Sequence, residues 1–272
     1  VAQESGRIAA VQMVSGAVLE ENLEAAARLI AQAAEAGADW VLLPENFALM
    51  GPLETDKLAI AERDGEGPIQ RFLAEAAARH KLWLIGGTIP LRGSDPQRVR
   101  AACLVYDAAG QRVARYDKIH LFDVEIGAEE RYCESATLEP GAQPVVVETP
   151  LGGLGLTVCY DLRFPELFRH MIGQGMEIAV VPAAFTAVTG EAHWQTLLRA
   201  RAIENQCYVV AAGQGGRHPN GRETHGESMI VDPWGVVLSS VDKGEGFAIA
   251  EFSRARLETV RRRFPALSHR RF

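Results

Sequence analysis

Four side chains, far apart along the chain, are of the types that acyl transfer through a thiol requires: Cys159, Glu45, Lys118 and Glu134. A thiol is the nucleophile once its proton is removed, a carboxylate can take that proton, and an ammonium can face the oxyanion of a tetrahedral intermediate. Three of the four follow directly on an apolar run. Pro44-Glu45-Asn46-Phe47 follows Trp40 to Leu43, Asp117-Lys118-Ile119-His120 follows Val113 to Tyr116, and Cys159-Tyr160-Asp161 follows Leu156 to Val158. Glu134 lies in Tyr132-Cys133-Glu134-Ser135. Reacting groups of α/β proteins collect at the carboxyl ends of strands, which is where these residues fall.

Each residue taken alone has a plainer reading: Cys159 as buried filler, Glu45 as an exposed loop carboxylate, Lys118 as a solvated turn lysine. The shared strand-end placement favours chemistry. Pro165 is placed to open a helix just past the thiol, so Cys159 occupies an elbow whose N-terminal amides are expected to lower its pKa and to donate to an oxyanion. Glu45 is the expected general base, and Lys118 the expected oxyanion cation. Other chemistries are less well supported. There is no Gly-x-Ser-x-Gly elbow, the seven histidines show no His-x-x-x-His or His-Glu-x-x-His spacing, and the Gly-Gly pairs form neither phosphate-loop pattern.

The elements that must hold these groups alternate between short apolar runs and amphipathic stretches. Strands are expected at Ile8 to Met13, Trp40 to Leu43 and Leu82 to Gly87, with helices over Leu19 to Ala36 and Ile69 to His80. The same order returns with a strand at Leu154 to Tyr160, a helix over Pro165 to Gln174, a strand at Ile178 to Val181, a helix over Ala192 to Gln206 and a strand at Tyr208 to Ala212. Gly37-Ala-Asp-Trp-Val-Leu-Leu-Pro44 matches Gly175-Met-Glu-Ile-Ala-Val-Val-Pro182, and the hairpin signal Val105-Tyr-Asp-Ala-Ala-Gly110 matches Ile230-Val-Asp-Pro-Trp-Gly235. Two similar halves, each a sheet covered by helices on one face, bury their bare faces against each other. The expectation is an α/β four-layer α-β-β-α sandwich with internal pseudo-two-fold duplication, a single domain over 1–272. Glu139-Pro-Gly-Ala-Gln-Pro144 serves only as a turn-rich connector. Arg199, Arg201 and Glu204 have a structural reading as ion pairs that dock the helix from Ala192.

Composition narrows the partners. With 272 residues, 47% hydrophobic and 23% charged, the chain has ordinary globular content, and a net charge of -7 without long single-sign runs argues against a nucleic-acid partner. No stretch approaches the ~18 consecutive apolar residues of a membrane helix, and no basic segment precedes an apolar signal core, so no membrane association is expected. The four cysteines form no Cys-x-x-Cys pair and no disulfide framework, which suits a reducing cytoplasm.

Leu42-Leu-Pro-Glu45-Asn-Phe47, Tyr116-Asp-Lys118-Ile-His-Leu-Phe-Asp123 and Val158-Cys159-Tyr-Asp-Leu-Arg-Phe-Pro-Glu166 resemble, in order, the three signature segments of the nitrilase superfamily of carbon-nitrogen hydrolases, and the resemblance extends over essentially the whole chain. It implies that Glu45 is the base, Lys118 the lysine that stabilises the intermediate, Cys159 the nucleophile, Glu134 a second carboxylate holding Lys118 and substrate, and the backbone N–H of Tyr160 an oxyanion donor. It also implies an amidase that needs no metal or organic cofactor and that pairs into a homodimer or a higher homo-oligomer.

Thr189-Gly-Glu-Ala-His193-Trp194 and the following Arg199-Ala-Arg201-Ala-Ile-Glu204 are similar to the small-amidase Nit branch. Cys133-Glu-Ser135, Gln214-Gly-Gly-Arg217-His218 and His269-Arg-Arg271 lean toward amidases of deaminated glutathione, ahead of omega-amidases acting on 2-oxoglutaramate or N-carbamoyl hydrolases. Such substrates are anionic. Arg163 is then the leading carboxylate clamp, with His193, Thr186 and Phe47 as further pocket residues. Where relatives carry Tyr-Asn before the first hairpin strand, this chain reads Arg100-Ala101. A scaffold that kept the fold and lost the chemistry is the competing function class.

Overall fold

Residues 3–127 and 130–271 are described by the computed structural model of the protein. The first half runs β1 (Ser5–Gln12), α1 (Leu19–Glu35), β2 (Trp40–Leu42), the single turn α2 (Asp56–Ala59), α3 (Pro68–His80), β3 (Trp83–Ile85), β4 (Ile89–Arg92), β5 (Val99–Tyr106) and β6 (Arg112–Asp117). A two-stranded ribbon, β7 (Asp123–Gly127) and β8 (Glu130–Cys133), leads to a 3-10 turn at Glu134–Ala136. The second half runs β9 (Val145–Thr149), β10 (Gly152–Leu156), α4 (Pro165–Gly173), β11 (Met176–Ala183), α5 (Ala187–Asn205), β12 (Tyr208–Gly213), β13 (Met229–Val231), β14 (Val237–Ser240), β15 (Gly246–Ser253) and α6 (Arg254–Arg263).

Strand side chains alternate between faces, and the burial follows that period. In β1, Ile8 and Ala10 enter a core shared with the second sheet, while Ala9 and Val11 enter a separate core beneath α1 and α3. In β2, Trp40 and Leu42 divide from Val41 in the same way, as do Cys103 and Val105 from Ala102 and Leu104 in β5. One sheet therefore has a face against helices and a face against the other sheet. Both of its faces are apolar, which is why β2 and β3 read as continuous hydrophobic runs.

The first sheet has the order β15-β1-β2-β3-β5-β4, with β6 also on β5, and the second has the order β14-β13-β12-β11-β10-β9. In both, three parallel strands (β1, β2, β3; β10, β11, β12) are followed by an antiparallel hairpin strand, as the repeated sequence pattern requires. The layers are α-β-β-α. The copies differ at one edge, because β1 takes its antiparallel neighbour from the far end of the chain, β15, whereas β10 takes the preceding β9.

Two boundaries differ most from the sequence reading. The strand from Leu154 stops at Leu156, and Cys159 begins a 3-10 turn, Cys159–Arg163. Helix α5 starts five residues ahead of Ala192, because Thr186 Oγ1 accepts the Thr189 N–H and caps the new first turn. Its charges dock the helix through carbonyls and a ring and not through ion pairs: Arg201 pairs with Glu204 of the same helix at 2.6 Å, but it also donates to the Leu162 carbonyl and stacks over Phe168, while Arg199 donates to the Gly235 carbonyl. Among the described residues no helix is long and apolar enough to cross a membrane.

Candidate active site

Glu45 follows β2 and Lys118 follows β6, so both leave the first sheet at one end, while Cys159 leaves the second sheet after β10. Lys118 Nζ lies 2.9 Å from Glu45 Oε1 and 2.9 and 2.8 Å from the two oxygens of Glu134. Its side chain is 0% exposed, against 4% for Glu45 and 19% for Glu134. A buried ammonium between two carboxylates is a desolvated ion chain, which is costly unless each partner is fully hydrogen-bonded. These are. Glu45 Oε2 accepts the Ala184 N–H at 2.8 Å, and Glu134 Oε2 accepts the Phe122 N–H at 2.8 Å.

Burial alone would lower the Lys118 pKa, but Glu134 and Glu45 outweigh it and hold the ammonium well above its usual range. Burial raises the Glu134 carboxyl, and the attraction of Lys118 more than reverses this, leaving it below its usual range. The thiol of Cys159 goes the other way. Burial and then the repulsion of Glu45 push it well above its ordinary value, and Lys118 does not compensate. This corrects the expectation of an elbow-acidified thiolate: the amides of a short turn are weaker than desolvation beside two carboxylates. Held above its ordinary range by burial and by Glu45, the resting group is a thiol and not a thiolate.

The backbone of the elbow is strained. Cys159 has φ +50°, and Asn46, next to Glu45, has φ +55°. A non-glycine residue in the left-handed region costs on the order of 1 kcal/mol or more and persists where surroundings fix it. For Cys159, Asp161 does the fixing. Fully buried, its carboxylate accepts from Tyr116 Oη at 2.7 Å, the Val158 N–H at 2.8 Å and the His120 N–H at 3.1 Å, with His120 Nδ1 at 2.7 Å. Residues 116 to 120 flank Lys118, so one carboxylate ties the lysine segment to the thiol segment. His120 also stacks on Phe164, with centroids 3.7 Å apart. For Asn46, the N–H is held by Thr88 Oγ1 at 2.8 Å, and at Gly87 (φ +55°) an added Cβ would lie 2.0 Å from the Pro44 carbonyl oxygen, so only glycine lets β3 end behind Glu45. Gln214 closes the arrangement between the sheets, donating to Ser15 Oγ and to the Glu45 carbonyl while its amide oxygen accepts the Ser15 N–H.

Two adjoining chambers meet at these groups. A small one is lined by Cys159, Tyr160, Arg163, Phe185 and Thr189; a larger one, about 880 Å³ with its open mouth, is lined by Glu45, Asn46, Lys57, Ala101, Tyr132 and Asn220. Phe122, Glu134 and Arg222 line both. Arg163 lies over the Phe185 ring at 5.1 Å. The other pocket residues expected from sequence fall elsewhere. Phe47 is fully buried in the core against α1 and α3, its ring 6.4 Å from Phe72, because the residue two past the base turns inward. Thr186 is the buried cap of α5, and His193 is on the exposed face of that helix, 3.2 Å from Arg163. At the departure from the family pattern, Arg100 points to Glu139 at 2.8 Å and Ala101 lines the larger chamber. Arg222 and Asp161 were missed as functional candidates. Asp161 carried a signal, two residues past the thiol; Arg222 had none.

The carbon-nitrogen hydrolase family model matches residues 7–262. A deaminated glutathione amidase of Synechocystis sp. (strain PCC 6803) is 46% identical over 268 residues, 97% of each chain. The crystal structure of the C. elegans NitFhit protein superposes with a TM-score of 0.92 at 40% identity, covering all of this chain and 66% of that longer one. That of Saccharomyces cerevisiae Nit3, a member of branch 10 of the nitrilase superfamily, superposes at 0.89 and 29% identity, covering 100% and 98%.

Proposed function

The chain belongs to the carbon-nitrogen hydrolase family and hydrolyses carbon–nitrogen bonds of non-peptide amides, and from that premise we propose that it cleaves deaminated glutathione, a 2-oxoglutaryl amide, into 2-oxoglutarate and Cys-Gly through a thioester on Cys159. The observation that carries the reading is the buried Glu45–Lys118–Glu134 ion chain facing the Cys159 thiol in one cleft. A scaffold without chemistry would have no use for so costly an arrangement.

In the first half-reaction Cys159 Sγ attacks the amide carbonyl carbon as its proton passes to Glu45. Lys118 Nζ and the Tyr160 N–H face the oxyanion, and Glu134 keeps Lys118 in position. Collapse breaks the C–N bond, and Glu45 returns the proton to the departing amine. In the second half-reaction Glu45 takes a proton from water, which attacks the thioester carbonyl and releases the acid and the thiol. Every charged partner is already in place before substrate arrives, so little reorganisation is needed. Arg163, on the wall of the thiol's chamber, binds the carboxylate of the acyl portion.

The whole chain acts as one hydrolase unit, and four free thiols with three of them buried suit a reducing cytoplasm. Pairing into a homodimer is supported by an exposed apolar patch at the end of α5, where Trp234 stacks edge-on against Phe264 at 6.0 Å beside Ile203 and Val236. Sedimentation equilibrium of wild type against Trp234→Glu tests it. For the reaction, parallel assays of deaminated glutathione, 2-oxoglutaramate and an N-carbamoyl amine, reading Cys-Gly against ammonia, decide the substrate. Preference for the first, abolished in Cys159→Ala, is expected; faster release of ammonia from either of the others overturns it.

A further inference from the structure

We infer that Arg222 is a specificity-determining residue that binds the carboxylate on the leaving-group side of the scissile amide, an inference that rests on the substrate class proposed above. Arg222 Nη2 donates to the Ala184 carbonyl, and its guanidinium lies over the Tyr132 ring at 4.9 Å. Its Nε is sealed from solvent without a hydrogen-bond acceptor among the described residues. Arg254 shares that feature but is ion-paired with Glu177 at 2.9 Å; Arg222 has no carboxylate partner among the described residues. A guanidinium fixed by a carbonyl and a ring, with donors left over at a cleft wall, is a preorganised half of a bidentate carboxylate contact.

Its location assigns the side. Glu45, which must protonate the departing amine, lines the larger chamber. The leaving group is therefore assigned to the larger chamber, and the acyl group to the side of Cys159 and Arg163. Arg222 stands at the junction, bonded to the carbonyl of Ala184, the residue whose N–H holds Glu45, and lines the larger chamber together with Asn220. The loop that presents it is anchored. Arg217 and Glu223 pair across it, and the buried His218 ring bridges the Ser15 carbonyl and Thr224 Oγ1. A substrate with one carboxylate on each side of the amide thus meets one arginine on each side.

The test compares kcat/KM for 2-oxoglutaryl-Cys-Gly with that for the same compound bearing a terminal carboxamide, in wild type, Arg222→Met and Arg222→Lys. Wild type is expected to prefer the carboxylate by roughly 10- to 100-fold, the range of one charge-assisted contact. In Arg222→Met that ratio falls to about one, and in Arg222→Lys, which keeps the charge without the fork, it is intermediate. A ratio near one in wild type overturns the inference, as does a ratio in Arg222→Met equal to that of wild type. Should the methionine variant not fold, an undiminished ratio in Arg222→Lys overturns it equally. Failure of wild type to hydrolyse either compound refutes the function itself, a result separable from a wild type that cleaves both without discrimination.

Discussion

Replacing Glu134 by Gln removes one charge and little volume from the ion chain, and its consequences run in opposite directions for two measurable rates. At the 2.8 Å separation from Lys118 the lost attraction is roughly 6 kcal/mol before compensation, taking an effective dielectric constant of about 20. The glutamine oxygen still accepts from Phe122 N–H or from Lys118, so a net loss of about 2–3 kcal/mol is the appropriate figure for one charged hydrogen bond. Lys118 then has a single carboxylate partner, Glu45, and settles on it, which withdraws both the cation from the oxyanion and basicity from the base. The expected result is a fall in kcat of about 30- to 150-fold. The thiol responds differently. Glu134 is among the charges that raise its pKa, so the variant lowers it and iodoacetamide should alkylate Cys159 several-fold faster at neutral pH. Simple misfolding would not give slower turnover with faster, still stoichiometric alkylation of one buried thiol. A kcat within threefold of wild type, or an alkylation rate that does not rise, would refute the reasoning.

Other perturbations separate chemistry from support. Cys159→Ala should fold with an unaltered melting temperature and show no turnover, while Lys118→Ala and Glu45→Gln should each lower kcat by on the order of 100-fold or more in a steady-state assay. Asp161→Asn turns an amide donor toward donors that already face the carboxylate, so denaturant titration should report a loss of about 3 kcal/mol; a loss below about 1 kcal/mol would remove its role as the tie between residues 116–120 and the thiol's elbow. Because the Glu134 carboxyl is held below its ordinary value of 4.5, it stabilises the fold fully above that pH and the contribution is lost as pH falls through the depressed value. The stability difference between wild type and Glu134→Gln should therefore shrink below pH 4.5, and a difference independent of pH there would exclude the pairing as its source.

Sequence made some of this legible for definite reasons. Trp40-Val-Leu42 and Val180-Val181 are apolar on both faces, and the repeated Gly-to-Pro segments fixed how the halves correspond, so the sandwich and the strand ends carrying Glu45, Lys118 and Cys159 could be placed. The β7–β8 ribbon was invisible, since Asp123 to Gly127 and Glu130 to Cys133 pair with each other outside either large sheet and only Val124 and Ile126, each beside an acidic residue, mark a face in β7. Thr186 looked like a pocket residue because a cap and a ligand contact use the same hydroxyl, and Phe47 because proximity in sequence to a base does not give the direction of a side chain. Arg222 could not be found: it belongs to a polar loop, and only the fold brings it to Ala184. The sign of the thiol shift was also out of reach, since it depends on how completely water is excluded.

The duplication explains why the base and the nucleophile meet at all. Aligning Gly37 to Pro44 with Gly175 to Pro182 makes Ala183 the counterpart of Glu45, and the residue after it, Ala184, donates the N–H that holds the Glu45 carboxylate at 2.8 Å. Equivalent strand ends of the two halves thus face each other across the sheet interface, one supplying a charge and the other the dipole that orients it. Gln214, which ends the next strand of the second half, bonds back to Ser15 and to the Glu45 carbonyl and prevents the two ends from sliding apart. Neither half contains a site by itself, because Glu45 and Lys118 come from one sheet and Cys159 with its Asp161 support from the other. Relative movement of the sheets by about 1 Å would lengthen Glu45–Ala184 and the Asp161 contacts together, and the steep dependence of catalysis on such distances makes the packing of the inter-sheet core part of the catalytic apparatus.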